Sequence, residues 1–486
     1  MSFNIERSSN AEELNEKIHG VFGALAMDKR RLPQSGLKER GMPSYVAEWL
    51  LDTIVPGQGM LSSEEVRKMH DWAGRYVPLP NDQNTIRYNI SRGDTVTALT
   101  VVEVLVDLER KPPKSTHYAM LSLLGIKEAM ISEHTIDEYP DLLKQGMWGV
   151  IELGQIADMP TILSFRPMQA TVDLVGFQRK RQAFTLTEWR ALLLTTMGYD
   201  PEHFSPEQQT YLLCRLLPLV QKHMHLIELA PKGTGKSYIY ENVSPRVRLV
   251  SGGNITPAVL FINNASGRWG LLARFSVLVL DEVQSLRFSH PEEIVGALKG
   301  YLANGMLTRG GLHEISSDCG MVMLANIQLD QQQRPMRELI IDELPRFLRN
   351  TAFLDRIKGL IPGWKLPKLS SNMLVRAQSQ HTMGLKADFF ADVLLAMREI
   401  FEADSFVSQR LTLAGEHPYR RNEEAIKAIA SGLLKLQFPD GHVSEEDFYR
   451  YCVEPAVMLR QGIWGQIYQL DAEYRQYERQ IRASVS

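Results

Sequence analysis

"IELAPKGTGKSYIY", residues 227–240, joins an apolar run to a lysine that follows two glycines. "HLIEL" reads as a strand, and "YIYENV" reads as the start of a helix. Between them, "APKGTGKS" fits the pattern G-x-x-x-x-G-K-[ST] except at its first position, where Ala230 stands for glycine. A tight turn from strand to helix is what a phosphate cradle requires. Gly233 and Gly235 permit the backbone angles that aim successive amides at one anion, and Pro231, Lys232 and Thr234 complete the loop. Lys236 offers a point charge for β and γ phosphates, and Ser237 a hydroxyl for Mg²⁺. ATP and Mg²⁺ are therefore the expected ligands.

Downstream residues extend the same chemistry. "FSVLVLDEV", residues 275–283, is an apolar strand ending in two acids. Asp281 is the candidate metal holder, and Glu282 the candidate general base for the attacking water. "GMVMLANI" is a further strand, ending at Asn326, whose amide can orient that water. "NTAFLDRIKGLIPGW" carries Arg356, which either reaches a neighbouring subunit's nucleotide or pairs with Asp355 in its own chain. "YRRNEEAIKAIASGLLKL" opens a helix with Arg420 and Arg421; Arg421, on the face of Ala425, is the favoured γ-phosphate sensor.

Composition excludes several classes. The chain has 486 residues, enough for two to four domains, and a formal charge of −3, too little for a global basic field. Its cysteines, Cys214, Cys319 and Cys452, form no CxxC pair, which argues against a disulfide framework or a cysteine zinc site and fits a cytoplasmic setting. His223 and His225 flank Met224 without a matching acid or cysteine and are read as non-ligands. The N-terminus lacks signal-peptide character, and no apolar run approaches the roughly 18 residues of a membrane span.

The chain reads as a helical segment over 1–75, a small β-rich domain over 76–182, an α/β core over 183–368 with a parallel sheet and helices on both faces, a helical lid over 369–445, and C-terminal helices over 446–486. In the first segment, Tyr45, Trp49, Leu50 and Ile54 make an apolar stripe that Pro56-Gly57 stops. "NTIRYNI" and "DTVTALTVVEVLVDL" alternate as strands do, and a five-stranded barrel of OB type is one option for their domain. Thr185 or Thr187 caps one helix and Ser205-Pro206 opens the next. Near the end, Ile463, Ile467, Leu470, Tyr474, Tyr477 and Ile481 step by 4, 3, 4, 3 and 4, either a terminal helix packed on its own domain or a subunit-bridging one.

The order P-loop, Asp-Glu, Asn, Arg, helix-start Arg resembles an AAA+ ATPase. "FTLTEWRALLLTTMGYDP", "LVSGGNITPAVLFIN", "LLARFSVLVLDEV", "NTAFLDRIKGLIPGWKLPK" and "ASGLLKLQFPDG" are similar, more narrowly, to the BrxL family, the Lon-like AAA+ ATPases of BREX anti-phage systems. The resemblance is specific over roughly 180–445 and looser over 40–180. It implies a hexameric or heptameric ring, single or stacked, with ATP bound between neighbours, double-stranded DNA moved through the pore, and other defence-system proteins as partners. It implies that Lys236, Ser237, Asp281, Glu282 and Asn326 act in cis, Arg356 as the trans arginine finger and Arg421 as the lid arginine. No lysine follows Lys435, so no C-terminal Ser–Lys protease dyad is expected, and the chain reads as a short form without the Lon-like protease domain.

A DNA-moving ring needs donors along its pore. "NGMLTRGGLHE" reads as a hairpin carrying Arg309 and His313, with Lys299 nearby, and the alternative is a solvated hairpin without a ligand. "FQRKRQ", with Arg179, Lys180 and Arg181, is either a backbone contact or a wet linker. Arg87, Arg92 and Lys114 are scattered over the β-rich part. Two other functions remain open: an ATPase that remodels protein for a separate partner, and an ATP-switched scaffold with little turnover.

Overall fold

A computed structural model describes residues 10–110, 115–263, 268–309, 313–415 and 418–485; the side chains of Arg268, Thr308, Arg309 and His313 and all of Lys114 lie outside the described set. The chain divides into two units, Arg30–Ala170 and Met1–Lys29 with Thr171–Ser486.

In the smaller unit, helices Ser44–Ile54, Ser63–Tyr76 and Gln83–Ser91 precede the sheet. The third of these corrects the strand expected at "NTIRYNI". Ile86 and Ile90 stand four apart, one helical face, and pack on the unit's core. Arg87 donates to the carbonyls of Leu124 and Gly125, so it is committed within the unit. The strands are β1 (Val96–Val106), β2 (His117–Leu121), β3 (Ile126–Ala129), β4 (Met147–Ile156) and β5 (Met159–Pro167). They pair antiparallel in the order β3-β2-β1-β4-β5. A parallel bridge between Met130 and Thr161 joins the two edge strands: Met130 N–H donates to Pro160 O at 2.7 Å, and Ile162 N–H donates to Met130 O at 2.9 Å. Joining the edges removes the unpaired ladder that an open sheet exposes. Val102, Val104, Leu121, Ile151 and Leu153 fill the interior.

The larger unit is built on five parallel strands: β6 (His225–Ala230), β7 (Val247–Ser251), β8 (Val277–Asp281), β9 (Gly320–Asn326) and β10 (Gly359–Pro362). Their order is β10-β6-β9-β8-β7. β6 and β8 are buried at every residue, which accounts for their largely apolar sequences. Helices α1 (Lys236–Asn242), α2 (Pro291–Asn304), α3 (Arg420–Gln437) and α4 (Glu454–Leu470) belong to this unit. Thr185 and Ser205 each cap a helix with a reciprocal bond from the residue three places on. Residues 10–29 also belong here, and Ala26–Asp28 pairs antiparallel with Met383–Leu385.

The heptad seam is not one helix. Ile463, Trp464 and Ile467 of α4 enter the core with Leu360, but α4 stops at Leu470. The Asp471 carboxylate then accepts the Glu473 amide at 3.0 Å, and Tyr474 folds back against Tyr419 and Trp464. Aromatic packing outweighs continuation of the helix, and Ala483–Val485 ends as a strand beside Leu411–Leu413.

Candidate nucleotide site

The turn after β6 has the form its sequence requires. Gly233 and Gly235 have φ of 87° and 71°, in the left-handed region. A Cβ on Gly235 would sit 2.4 Å from Leu369 Cδ1, so a larger residue would have to displace that side chain as well as adopt a left-handed backbone. Thr234 is buried and its hydroxyl donates to Pro231 O at 3.3 Å, while Lys232 faces solvent. Ser237 stands one residue inside α1.

Lys236 is only 6% exposed, and its Nζ donates to Asn326 Oδ1 at 2.8 Å. Burial lowers its pKa, against the charges of Glu228, Asp281 and Glu282. The pairing of β9 with β6 matches Asn326 to Ala230, which brings the strand end to the P-loop. Asp281 closes β8 and is buried, and one of its oxygens accepts the Glu282 amide at 2.9 Å. Glu282 itself has φ of 45°, a left-handed residue of the kind that carries about 1–3 kcal/mol of strain and clusters at working sites. Gln284 brackets Asn326, donating to its carbonyl at 2.6 Å and accepting its amide at 3.1 Å. The sequence gives no signal for Gln284. It does give one for Glu228: a lone acid inside an apolar strand needs a buried partner, which is Arg215 at 2.6 Å.

Arg356 stands at the other end of the sheet. Lys358 N–H donates to His225 O, and Gly359 pairs with Leu226, so Arg356 precedes the start of β10 while the P-loop follows the end of β6. The intervening strand is roughly 20 Å long at ~3.3 Å per residue. Arg356 does not pair with Asp355. That carboxylate is taken by Arg460 at 3.0 Å, by Tyr419 Oη at 2.6 Å and by Arg421. Arg356 donates instead to Ala352 O, and its Nε is buried with no acceptor among the described residues. Burial, then the Arg421 charge, lowers its pKa. Asp355, Arg356, Lys358, Tyr419, Arg420 and Arg421 line a cavity of about 440 Å³. Arg420 pairs with Glu424 in solvent, whereas Arg421 turns to the buried Asp355. Arg421 therefore lies with Arg356, a strand length from its own P-loop.

The nucleic-acid candidates separate. Met306–Arg309 and His313–Ser316 form the expected hairpin, with Arg309 opposite His313, but the side chains that matter lie outside the described set. Lys299 is half-buried on α2. "FQRKRQ" is corrected: it ends a helix, Leu174–Arg181, rather than forming a wet linker. Arg181 is buried, donating to Gln437 O at 2.8 Å and to Phe184 O, and Lys180 donates to Val21 O at 2.6 Å. Arg181 is withdrawn from solvent and half-buried Lys180 gives one N–H to an internal carbonyl, which leaves Arg179 as the exposed member. His223 and His225 sit at the start of β6, where His225 Nδ1 accepts the Met321 amide at 3.2 Å.

A model described as "Lon-like protease BrxL-like, ATPase domain" matches residues 160–480, and one described as "BREX system Lon protease-like protein BrxL N-terminal" matches residues 20–155. The chain is 29% identical over 480 residues to the Lon-like protease BrxL of Escherichia coli O9:H4 (strain HS), covering 96% of this chain and 66% of that protein. It is 27% identical over 452 residues to the Lon-like protease BrxL of Bacillus cereus (strain H3081.97), covering 90% and 64%. The chain thus spans just under two thirds of the length of these curated relatives. Among solved structures, a full-length MCM homolog from Methanopyrus kandleri aligns at 14% identity over 91% of this chain and 99% of that one, with a TM-score of 0.37, too loose to carry an argument. With its N-terminal region and its ATPase domain both matched in order along the sequence, the chain belongs to the BrxL family.

Proposed function

We propose that this chain is a ring-forming AAA+ ATPase that binds double-stranded DNA and moves it by hydrolysing ATP at subunit interfaces, in BREX-type anti-phage defence in the cytoplasm. The observation that carries the reading is a division of labour along one sheet. The P-loop, Asp281 and Asn326 gather at the carboxyl ends of the strands, and the Arg356–Arg421 cavity opens near the amino end of β10. One chain thus holds two unlike half-sites too far apart to meet. A head-to-tail interface joins one half to the other, and such an interface makes a ring where its rotation closes. Six or seven subunits, in one ring or two stacked, satisfy it.

The donor set suits ATP with Mg²⁺. Pro231–Gly235 shape the turn, Lys236 takes the β and γ phosphate charge, and Ser237 and Asp281 offer the hard oxygens that Mg²⁺ prefers. When bound, Mg²⁺ neutralises charge across the phosphate oxygens. Glu282 accepts the proton of the attacking water, Asn326 orients that water, and the neighbour's Arg356 and Arg421 stabilise the charge of the transferring phosphoryl group. We read the β1–β5 barrel as OB type, from its strand order, its parallel closure and the helical segment before β4, and the helices Ala387–Ala396, Phe401–Arg410 and α3 as the lid.

A protein-remodelling ATPase is the second reading, favoured by the loss of Arg181 from the candidate DNA surface. Turnover measured with and without duplex DNA separates the two. DNA stimulation, with binding that weakens steeply as salt rises, supports the first. Turnover indifferent to DNA but raised by an unfolded protein supports the second.

A further inference from the structure

We propose that Arg215, locked in place by Glu228, is a positioning residue that aims the P-loop amides at the nucleotide; the proposal rests on the nucleotide reading of that loop. Arg215 is 0% exposed and lies beneath the turn. Its Nε and Nη2 grip the Glu228 carboxylate in a two-point fork at 3.1 and 2.6 Å. The second Nη2 proton goes to Thr234 O at 3.2 Å. Nη1 reaches Gly235 O at 3.4 Å and Tyr199 Oη at 3.5 Å. All five guanidinium N–H groups thereby have an acceptor, which is what a fully buried arginine requires.

The two carbonyls matter because of the peptide plane. In a trans peptide the C=O and the following N–H point in opposite directions. Thr234 O shares its plane with the Gly235 amide, and Gly235 O shares its plane with the Lys236 amide. Drawing both oxygens down onto Arg215 turns both amides to the opposite face of the loop. Leu369 N–H does the same one residue earlier, holding Gly233 O at 2.8 Å and so directing the Thr234 amide. Three consecutive amides are thus oriented from behind, two of them by one side chain. Glu228 comes from β6, two residues before the turn begins, so the sheet itself sets the arginine's position.

Two variants test this. Arg215→Lys keeps a cation for Glu228 but loses the fork. Arg215→Met with Glu228→Leu removes the buried pair whole, a replacement that buried ion pairs commonly tolerate. Affinity for a fluorescent ATP analogue, and the rise in melting temperature that the analogue produces, are compared with the parent. Each variant should fold but melt below the parent without nucleotide, because Thr234 O and Gly235 O lose donors, bind the analogue at least about tenfold more weakly, as loss of charge-assisted geometry predicts, and lose most of the nucleotide-dependent rise. A variant that binds as tightly as the parent overturns the proposal. So does one that is less stable throughout yet keeps the full rise, since its role is then structural alone. A parent that fails to bind the analogue refutes the nucleotide reading itself, a distinguishable outcome. Should both variants fail to fold, a crystal structure of the parent with a non-hydrolysable ATP analogue decides: either carbonyl released from Arg215 overturns the clamp, and both retained supports it.

Discussion

Lys236 Nζ and Asn326 Oδ1 are joined across 2.8 Å, linking the P-loop to the end of the neighbouring strand. The lysine is buried, so the amide supplies the acceptor that desolvation makes necessary. The two side chains should nonetheless fail differently when removed. Lys236→Ala deletes the phosphate cation and should abolish binding of an ATP analogue. Asn326→Ala should leave affinity within a few-fold but lower kcat by about 10²–10³, the scale of one lost transition-state donor. Equal loss of affinity in both would mean that Asn326 serves only to hold the lysine.

The location of Arg421 beside Arg356 makes a sharper prediction about the subunit interface. Each arginine lies about a strand length from its own P-loop, and the proposed ring assigns both to the half-site offered to a neighbour. Mixing Arg356→Ala subunits with Glu282→Gln subunits should restore turnover at roughly a quarter of the interfaces, the share that random head-to-tail assembly makes fully intact. Arg421→Ala mixed with Glu282→Gln should do the same. Arg356→Ala mixed with Arg421→Ala should restore none, because each subunit of that mixture lacks one of the two arginines and no interface is fully intact. A null result for the first mixture would argue against a shared site.

Arg181 should behave as a structural residue. Its guanidinium satisfies the carbonyls of Gln437 and Phe184 and stands over the Trp189 and Phe438 rings. Arg181→Ala should cost about 2–4 kcal/mol in urea denaturation, through two buried carbonyls left without donors. Duplex DNA affinity of the folded fraction should stay unchanged. A large loss of DNA affinity at unchanged stability would return this residue to the nucleic-acid surface.

The P-loop was readable because its signal is local: glycines, a lysine and a serine at fixed spacing enforce one turn. The acids at the end of β8 and the amide at the end of β9 were readable as strand ends, and the parallel register then brings Asn326 to the loop. What escaped depends on partners far along the chain. Ile86 and Ile90 look like alternation until the core lies on one side of them. The step from Leu470 to Ile481 keeps a heptad, yet Tyr419, Trp464 and Tyr474 draw the chain back into an aromatic cluster. "FQRKRQ" looks like a basic patch until Gln437, Phe184 and Val21 offer their carbonyls. Arg215 is ordinary in sequence, and only the acid within β6 hints that a cation waits beneath the loop.

Lys358 gives the final prediction, on pH. It lines the cavity with Arg356 and Arg421, and burial, then the Arg460 charge, pulls its pKa from 10.5 to about 8, with Glu424 opposing. The folded form therefore releases its proton more readily than the unfolded chain. Below about pH 8 both states are protonated and the cost of burying the charge is constant. Between about pH 8 and 10.5 the unfolded state holds more protons, so stability rises with pH across that window. Lys358→Met removes this contribution. Urea midpoints of the variant should exceed those of the parent most near neutral pH, and the gap should narrow as pH climbs toward 10.5. Lys236 is also depressed by burial, but it titrates alike in both proteins and cancels in the comparison. Parallel curves, with a constant gap across the window, would mean that Lys358 reaches solvent and carries no such shift.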